Sequence, residues 1–164
     1  MRRVAGFDPS FQSGNTGFAV VECGPRPFLV ASGVLRQQGT SDSERFASLQ
    51  NEVESICIRY GVAKGAVEKP PSFAYSRSAG EDGKPLNIAS IIKNANAAAV
   101  ILAALGKLGL PVVCVDAHQW KRHKNTNLGK PDMKALAERQ FPQLKEKRVS
   151  SHEAEAVLIA LLNL

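Results

Sequence analysis

Cysteine is scarce in this chain, and its distribution excludes two classes of small folds. The 164 residues contain only Cys23, Cys57 and Cys114, an odd number without a closely spaced pair. A disulfide framework or a zinc knuckle is therefore not expected. Cys57 and Cys114 lie within apolar runs, so we interpret them as small core residues in a chain from a reducing compartment, the cytoplasm.

We also expect no apolar run that approaches membrane-spanning length. The N-terminal sequence MRRVAGFDPS lacks the apolar stretch of a signal peptide, and we expect no membrane-spanning segment. Hydrophobic residues make up 44% of the chain and charged residues 22%, which is ordinary for a globular protein. A chain of this length can bury one core, so we predict a single domain over residues 1–164.

Acidic residues are scarcer than basic ones, which points to a polyanionic partner. There are 15 Asp and Glu against 21 Lys and Arg, giving a net charge of +6. Much of the excess lies between residues 121 and 148, in a stretch rich in Asn, Gly and Pro, which favours a phosphate-contacting surface. Mild basicity without any binding role is the alternative. The basic residues of this stretch are Lys121, Arg122, Lys124, Lys130, Lys134, Arg139, Lys145, Lys147 and Arg148.

Apolar periodicity and turn residues predict an α/β fold with a mixed sheet flanked by helices. Predicted strands cover residues 3–7, 16–22, 28–36, 65–67 and 110–115, the last of them buried. The first predicted helix starts within residues 40–44 and continues to residue 60, where Gly61 ends it. Further predicted helices cover residues 86–108, 131–141 and 151–162, with a short helix start at 117–121. Residues 69–85 contain too many Pro, Gly and Ser for an element and are interpreted as a mobile loop.

The predicted helix over residues 86–108 is apolar around much of its circumference. This composition suits a helix that is covered by the sheet on one face and by a second subunit on another. We therefore expect a homodimer through this helix, although the central helix of a monomer would look similar.

Four side chains that could bind metal lie at the ends of predicted elements. Asp8 and Glu68 each end an apolar strand, while His152 and Glu155 are three residues apart and share one face of the last helix. If that helix crosses the strand ends, three carboxylates and one imidazole converge. Ser150 and Glu153 fit a capping box, so Glu153 is interpreted as structural.

Each of these residues also has a simpler interpretation. Asp8 precedes Pro9 and could begin an ordinary turn. Glu68 could form a surface pair with Lys69, and His152 could face solvent. Glu155 has mainly apolar neighbours, and an acid in that setting needs a partner or an ion.

Clustered acids repel one another, so such a site is stable at neutral pH mainly when a divalent cation compensates them. Mg²⁺ or Mn²⁺ is the expected cofactor. Two such ions roughly 4 Å apart can activate a water and stabilise the leaving oxygen of a phosphodiester. Together with the basic stretch, this predicts metal-dependent phosphodiester hydrolysis.

The order of these motifs resembles the RuvC-like Holliday junction resolvases of the ribonuclease H-like superfamily, including phage and bacterial members. The resemblance rests on GFDPS, the turn with Gly14, Thr16 and Gly17, a strand ending in Glu68, and the terminal helix H-x-x-E-A-x-x-x-A. The segment Gln119-Trp120-Lys121 before a Lys-bearing helix is similar to the same family. The resemblance covers nearly the whole chain and implies a ribonuclease H-like fold with a mixed five-stranded sheet.

The resemblance also implies an activity and a set of residues. It implies a homodimer that binds four-way DNA junctions and makes paired symmetric nicks, with catalytic metal ligands at Asp8, Glu68, His152 and Glu155. It implies DNA contacts near the cleaved phosphate and in the segment after Glu68, where an aromatic residue enters the junction. With the basic stretch, the predicted DNA-binding residues are Lys121, Arg122, Lys124, Lys130, Lys134, Phe73, Tyr75 and Arg77.

The chain departs from the family pattern at two ligand positions, with Glu155 where Asp is commoner and His152 where Asp also occurs. A nitrogen ligand favours Mn²⁺ relative to Mg²⁺. We expect higher activity in Mn²⁺ and a decrease below about pH 6 as the imidazole protonates. The alternatives are another nuclease of the superfamily that acts on flap or branched DNA or on RNA, and a non-catalytic junction-binding dimer.

Overall fold

The structure is a computed structural model that describes residues 2–11, 14–69, 88–116 and 129–164. It contains one five-stranded mixed sheet, as predicted, and numbered along the chain its strands lie side by side in the order third, second, first, fourth and fifth. The strands are β1 (Arg3–Asp8), β2 (Asn15–Glu22), β3 (Phe28–Arg36), β4 (Lys64–Lys69) and β5 (Val112–Asp116). The helices are α1 (Asp42–Arg59), α2 (Ile88–Lys107), α3 (Lys130–Gln140), α4 (Gln143–Glu146) and α5 (Ser151–Leu161).

The first three strands form an antiparallel meander, and the later strands are parallel to β1. β1 pairs with β2 in antiparallel orientation and with β4 in parallel orientation, and β5 pairs in parallel with β4. Helices α1 and α2 provide the crossovers that parallel pairing requires. Both predicted acid-bearing strands, β1 and β4, are therefore adjacent inside the sheet.

Local sequence accounts for the bounds of α1. Ser41 accepts a hydrogen bond from the Glu44 backbone N–H while the Glu44 carboxylate accepts one from the Ser41 N–H, which completes a capping box. Gly61 follows the helix with φ +58°, a left-handed conformation that glycine adopts without steric cost. These two signals begin and end the helix where the sequence predicts.

The sheet separates two hydrophobic layers. On one face α1 and α2 pack against side chains of β1, β2 and β4, and the buried residues include Phe7, Val67 and Leu105. On the other face α3, α4 and α5 pack together, with Ala156 and Ile159 fully buried. Alternation along the strands supplies both layers, because successive side chains point to opposite faces.

Helix α5 packs close to the sheet because the strand residues that it crosses include glycines. A Cβ atom on Gly6 would lie 2.3 Å from the Ala156 carbonyl oxygen, and one on Gly17 would lie 2.0 Å from the His152 carbonyl oxygen. Real Cβ atoms do not approach backbone oxygens this closely, so both positions require glycine. The close packing brings the first turn of α5 directly over the end of β1.

Two sequence predictions need correction, and one short helix was missed. Cys114 is exposed and β5 is only partly buried, because β5 is an edge strand of the sheet; Cys57 is buried as predicted. The short helix α4 was not predicted, since residues 143–146 are too few to show periodicity. The predicted mobile loop and the short helix start at 117–121 lie largely or wholly outside the described residues.

The expectation that no segment reaches membrane-spanning length is also wrong. Among the described residues, Ala89–Lys107 is long and apolar enough to cross a membrane by length and composition alone, and 28% of it is buried. Its inner face belongs to the core, where Ala97, Ile101, Ala104 and Leu105 are completely buried. We therefore interpret α2 as a helix of the folded domain whose outer face is uncovered.

Candidate metal centre

The parallel pairing of β1 and β4 brings two of the predicted acids together. Phe7 pairs with Val67, so the next residues along the two strands are Asp8 and Glu68. Both strands run in the same direction, and their carboxyl ends meet at the same edge of the sheet. Asp8 is 7% exposed and Glu68 is partly buried.

The N-terminal half of α5 supplies the third carboxylate. Asp8 pairs with Gly17 across the β1–β2 ladder, and the absence of a side chain on Gly17 lets α5 approach this end of the strand. Carboxylate oxygens of Asp8, Glu68 and Glu155 all lie within 4.8 Å of one another. Glu155 is only 5% exposed, so its carboxylate faces inward, where a charge needs a partner or an ion.

His152 contacts one of these carboxylates directly. Its Nδ1–H donates to Asp8 Oδ2 at a distance of 2.6 Å. This hydrogen bond raises the pKa of His152 above its usual value, and the negative charges of Asp8 and Glu155 act in the same direction, while burial and Lys130 oppose them. Nδ1 is thus bonded to a carboxylate here, and the metal-ligand role of His152 stays a prediction.

The three carboxylates face a cavity of about 230 Å³. β1 and the turn after it form one wall, and α2 forms another. Lys130, at the start of α3, contributes a positive charge to the lining. The lining residues are Asp8, Pro9, Ser10, Glu68, Ser90, Ile91, Asn94, Lys130, His152 and Glu155.

Glu153 is structural, as predicted, but through different contacts from those of a capping box. The Ser150 hydroxyl accepts from the Glu153 backbone N–H, which caps α5. The Glu153 carboxylate instead accepts hydrogen bonds from the Ser32 hydroxyl and the Lys147 ammonium, both at 2.7 Å. Because Glu153 is 4% exposed, this paired charge ties the start of α5 to β3.

Of the predicted DNA-binding residues, the structure describes two. Lys130 lines the cavity, whereas Lys134 lies one turn further along α3 with its Nζ 3.9 Å from Glu138 Oε1. The others, which include both candidate aromatic residues, lie outside the described residues. Those others are Lys121, Arg122, Lys124, Phe73, Tyr75 and Arg77.

Sequence reasoning missed the contribution of α2 to the cavity. Ser90 and Asn94 are four residues apart and line it together with Ile91. The signal that could have identified Asn94 is its polarity at a position facing the core side of an Ala-rich helix. Ala97, Ala98 and Ile101, which follow it at helical spacing, are buried.

The donor set fits a hard divalent cation. Three carboxylates with oxygens within 4.8 Å of one another concentrate negative charge in a largely buried position. Carboxylate oxygens are the ligands that Mg²⁺ and Mn²⁺ accept, and a cation would remove the mutual repulsion of the acids.

Comparison with known proteins gives matches at the level of structure. No protein-family model matches the chain, and no curated protein matches it in sequence. Thermus thermophilus RuvC solved in complex with a Holliday junction substrate superposes with a TM-score of 0.75 at 23% identity, covering 98% of this chain and 91% of that chain. A second structure of Thermus thermophilus RuvC gives a TM-score of 0.70 at 23% identity, with 97% and 91% covered.

A more distant match extends the similarity to eukaryotes. The yeast mitochondrial Holliday junction resolvase superposes with a TM-score of 0.61 at 12% identity, covering 97% of this chain and 77% of that chain. All three matches extend over nearly the whole length of this chain, including its mixed sheet and flanking helices. The chain therefore has the RuvC-like variant of the ribonuclease H-like fold, as its sequence motifs predict.

Proposed function

We propose that this protein is a structure-specific DNA endonuclease that resolves four-way junctions by paired symmetric nicks. The observation that carries the proposal is the buried carboxylate cluster of Asp8, Glu68 and Glu155 at the sheet edge, inside a RuvC-like fold. Two of the matching structures belong to RuvC, and one of those contains a Holliday junction substrate. A cytoplasmic location is part of the proposal.

In this proposal the three carboxylates hold Mg²⁺ or Mn²⁺, two ions per site. Bound there, such ions supply an activated water and stabilise charge on the phosphodiester oxygens. Asp8, Glu68 and Glu155 would hold the ions, and Asp8 also accepts the hydrogen bond from His152. His152 holds a proton beside Asp8 and is the fourth candidate ligand.

Lys130 is the described basic residue best placed to contact a phosphate. It lies at the start of α3 and lines the same cavity as the carboxylates, so its ammonium group can neutralise a phosphate that is drawn toward the cluster. Lys134 extends the positive charge along α3. The remaining basic and aromatic candidates stay predictions from the sequence.

Two symmetric nicks need two copies of the site, and α2 offers a surface for a second copy. Its outer face presents an exposed stripe of mainly small or apolar residues. Ile92 is 46% exposed, and small residues at the following positions permit close approach of another helix. The exposed stripe consists of Ile92, Asn96, Ala99 and Ala103.

The proposed function is tested with purified protein, Mn²⁺ and three synthetic DNAs: a four-way junction, a flap and a linear duplex. We expect the junction to be cut at two symmetric positions. We also expect a supercoiled plasmid with a cruciform to be linearised without a nicked intermediate, because both strands are cut before the protein dissociates. Equal cutting of the linear duplex would reject a resolvase in favour of a general nuclease. Preferred cutting of the flap would identify another branched-DNA nuclease, and tight junction binding without any cutting would identify a binding protein.

The affinity for Mn²⁺ is expected to fall on acidification. The fall should begin at a pH above the ordinary pKa of histidine, because the pKa of His152 is raised. Because Asp8 raises the pKa of His152, the imidazolium competes with the cation for that carboxylate until the pH exceeds this raised value. Below it, affinity should change by about tenfold per pH unit, since one proton is released for each bound ion. Without metal, the stability that the pair contributes is present below about pH 6.5 and lost as pH rises through the raised pKa.

Calorimetric titration of Mn²⁺ between about pH 6 and 8.5 measures this dependence. The charged groups that face the same cavity as His152 are Asp8, Glu68, Glu155 and Lys130, and Asp8, Glu155 and Lys130 act on its pKa. The variant His152→Gln removes the imidazole and should flatten the profile over this range. An unchanged slope in His152→Gln would assign the proton to another group.

A further inference from the structure

Asn94 lines the cavity, and its side-chain oxygen is already engaged. Oδ1 accepts a hydrogen bond from the Phe11 backbone N–H at 3.0 Å. Phe11 is fully buried, its ring stacks on Phe46 with centroids 4.4 Å apart, and the Arg45 guanidinium lies 4.3 Å from its centre. Arg45 also donates to the Phe11 carbonyl at 3.0 Å, so Phe11 is held by its ring and by its backbone on both sides.

The second half of the same amide is available to a ligand. The side-chain amide is planar, with Oδ1 and the NH₂ group on the same carbon. Holding Oδ1 against Phe11 therefore fixes the direction in which the NH₂ group points. Within the described part of the chain, Nδ2 has no hydrogen-bond acceptor, and it is not among the buried polar atoms that lack a partner. It is therefore reachable from outside, and the space that Asn94 borders is the cavity.

A neutral donor suits this position chemically. Asp8, Glu68 and Glu155 line the same cavity, and an additional cationic side chain beside them would compete with divalent cations for the carboxylates. An amide NH₂ donates to a phosphate oxygen without neutralising the acids. Because the amide is held from behind by Phe11, it needs no reorganisation when the phosphate arrives.

We infer that Asn94 is a substrate-contacting residue, whose NH₂ group donates a hydrogen bond to a phosphate oxygen of the DNA strand in the cavity. The inference rests on the proposed function for the identity of the substrate. It adds α2 to the elements that bind DNA, beside the basic start of α3. Asn94 thereby gives the cavity a hydrogen-bond donor on the wall formed by α2, whereas the carboxylate of Asp8 on β1 repels phosphate.

The variant Asn94→Asp distinguishes the acceptor role of the amide oxygen from the donor role of the NH₂ group. A carboxylate still accepts from the Phe11 N–H but has no hydrogen to donate at neutral pH. We expect about tenfold weaker binding of a four-way junction in Ca²⁺ and a higher KM for cleavage in Mn²⁺. The new carboxylate also adds a negative charge beside the three acids, so Asn94→Ala, which adds none, isolates the loss of the donor. Asn51→Asp is the matched control, because Asn51 is exposed on α1 and the same chemical change there should leave binding and cleavage unaltered.

A second variant checks the anchoring contact. Asn94→Ala removes both ends of the amide, so it should weaken junction binding as Asn94→Asp does and also lower the Tm, since the Phe11 N–H loses its acceptor. Wild-type binding and cleavage by Asn94→Asp would overturn the inference. A loss of junction affinity matched by an equal loss of Mn²⁺ affinity would overturn it too, because Asn94 would then act through the cation site.

The proposed function can fail separately from this inference. If the wild-type protein binds the junction and never cuts it, the endonuclease proposal is rejected, and the binding comparison in Ca²⁺ still decides the role of Asn94. If the wild-type protein cuts the junction and Asn94→Asp is indistinguishable from it, only the inference is rejected.

Discussion

Replacing Asp8 with asparagine is expected to abolish junction cleavage while junction binding persists. The amide side chain has nearly the same shape as the carboxylate but no charge, so the cluster would lose one of its three anionic ligands at the position where β1 and β4 meet. Metal ions supply several kcal/mol of transition-state stabilisation, so we expect cleavage to fall by about 10³-fold or more. Single-turnover cleavage in Mn²⁺ and junction binding in Ca²⁺ measure the two quantities separately.

A matched acid-to-amide change elsewhere provides the control for Asp8→Asn. Asp42 is exposed in the first turn of α1, where its charge favours the helix by about 0.5 kcal/mol, and Asp42→Asn should cleave normally. Cleavage by Asp8→Asn within about tenfold of wild type would mean that Asp8 only begins a turn before Pro9.

The same variant has a spectroscopic consequence that does not depend on activity. The hydrogen bond that His152 donates to Asp8 is the largest cause of the raised pKa of His152, and an uncharged asparagine cannot stabilise the imidazolium in the same way. The pKa of His152 measured by NMR in the metal-free protein should therefore move down toward the usual range. An unchanged value would contradict the contact between Nδ1 and Oδ2.

Strand-end acids could be predicted because their placement depends on local sequence. Asp8 and Glu68 each follow an apolar run and precede a breaker, and parallel strands bring such positions to one edge of a sheet. Glu155 was identifiable because an acid among apolar neighbours on a helix needs a reason to be buried. These three predictions use only periodicity and the cost of burying charge.

Contacts between distant segments could not be predicted in the same way. Glu153 has the spacing of a capping box, yet its carboxylate bonds to Ser32, which is 121 residues away. Cys114 lies in an apolar run, but whether such a run is central or at an edge depends on the strand order. Asn94 shows its partner, Phe11, only after α2 has packed on the sheet.

The glycine in the second strand is an intermediate case. Gly17 belongs to the motif that indicated the fold, but its sequence reveals nothing about the helix that crosses it. The structure gives the reason for a glycine there, because the backbone of His152 occupies the space where a Cβ atom would lie. Gly17 has no functional group, yet it thus determines how close His152 and Glu155 come to Asp8.

Replacing Gly17 with alanine is accordingly expected to disrupt the proposed metal site, although Gly17 itself offers no ligand. The new Cβ would lie 2.0 Å from the carbonyl oxygen and 2.3 Å from the carbonyl carbon of His152. Both are backbone atoms, so the first turn of α5 has to move away from β2. Glu155 and His152 move with it, and displacements of about 1 Å cost on the order of 100-fold in activity.

The displacement also has a cost in stability, of about 1–3 kcal/mol for forcing extra volume into a packed contact. Thermal unfolding, Mn²⁺ titration and junction cleavage of Gly17→Ala measure the three effects. Gly24→Ala is the neutral control, since its nearest contact would be the Arg26 carbonyl oxygen at an ordinary 3.7 Å.

Gly6→Ala distinguishes loss of the site from general loosening of α5. Its Cβ would meet the middle of the same helix, 2.3 Å from the Ala156 carbonyl oxygen and 2.5 Å from the Ala160 nitrogen. We expect a comparable loss of stability there, with a smaller loss of Mn²⁺ affinity, because the first turn of α5 is still tied to β3 through Glu153 and Ser32. Equal Mn²⁺ affinities in Gly17→Ala and the wild type would show that the approach of α5 at Gly17 does not determine the geometry of the carboxylate cluster.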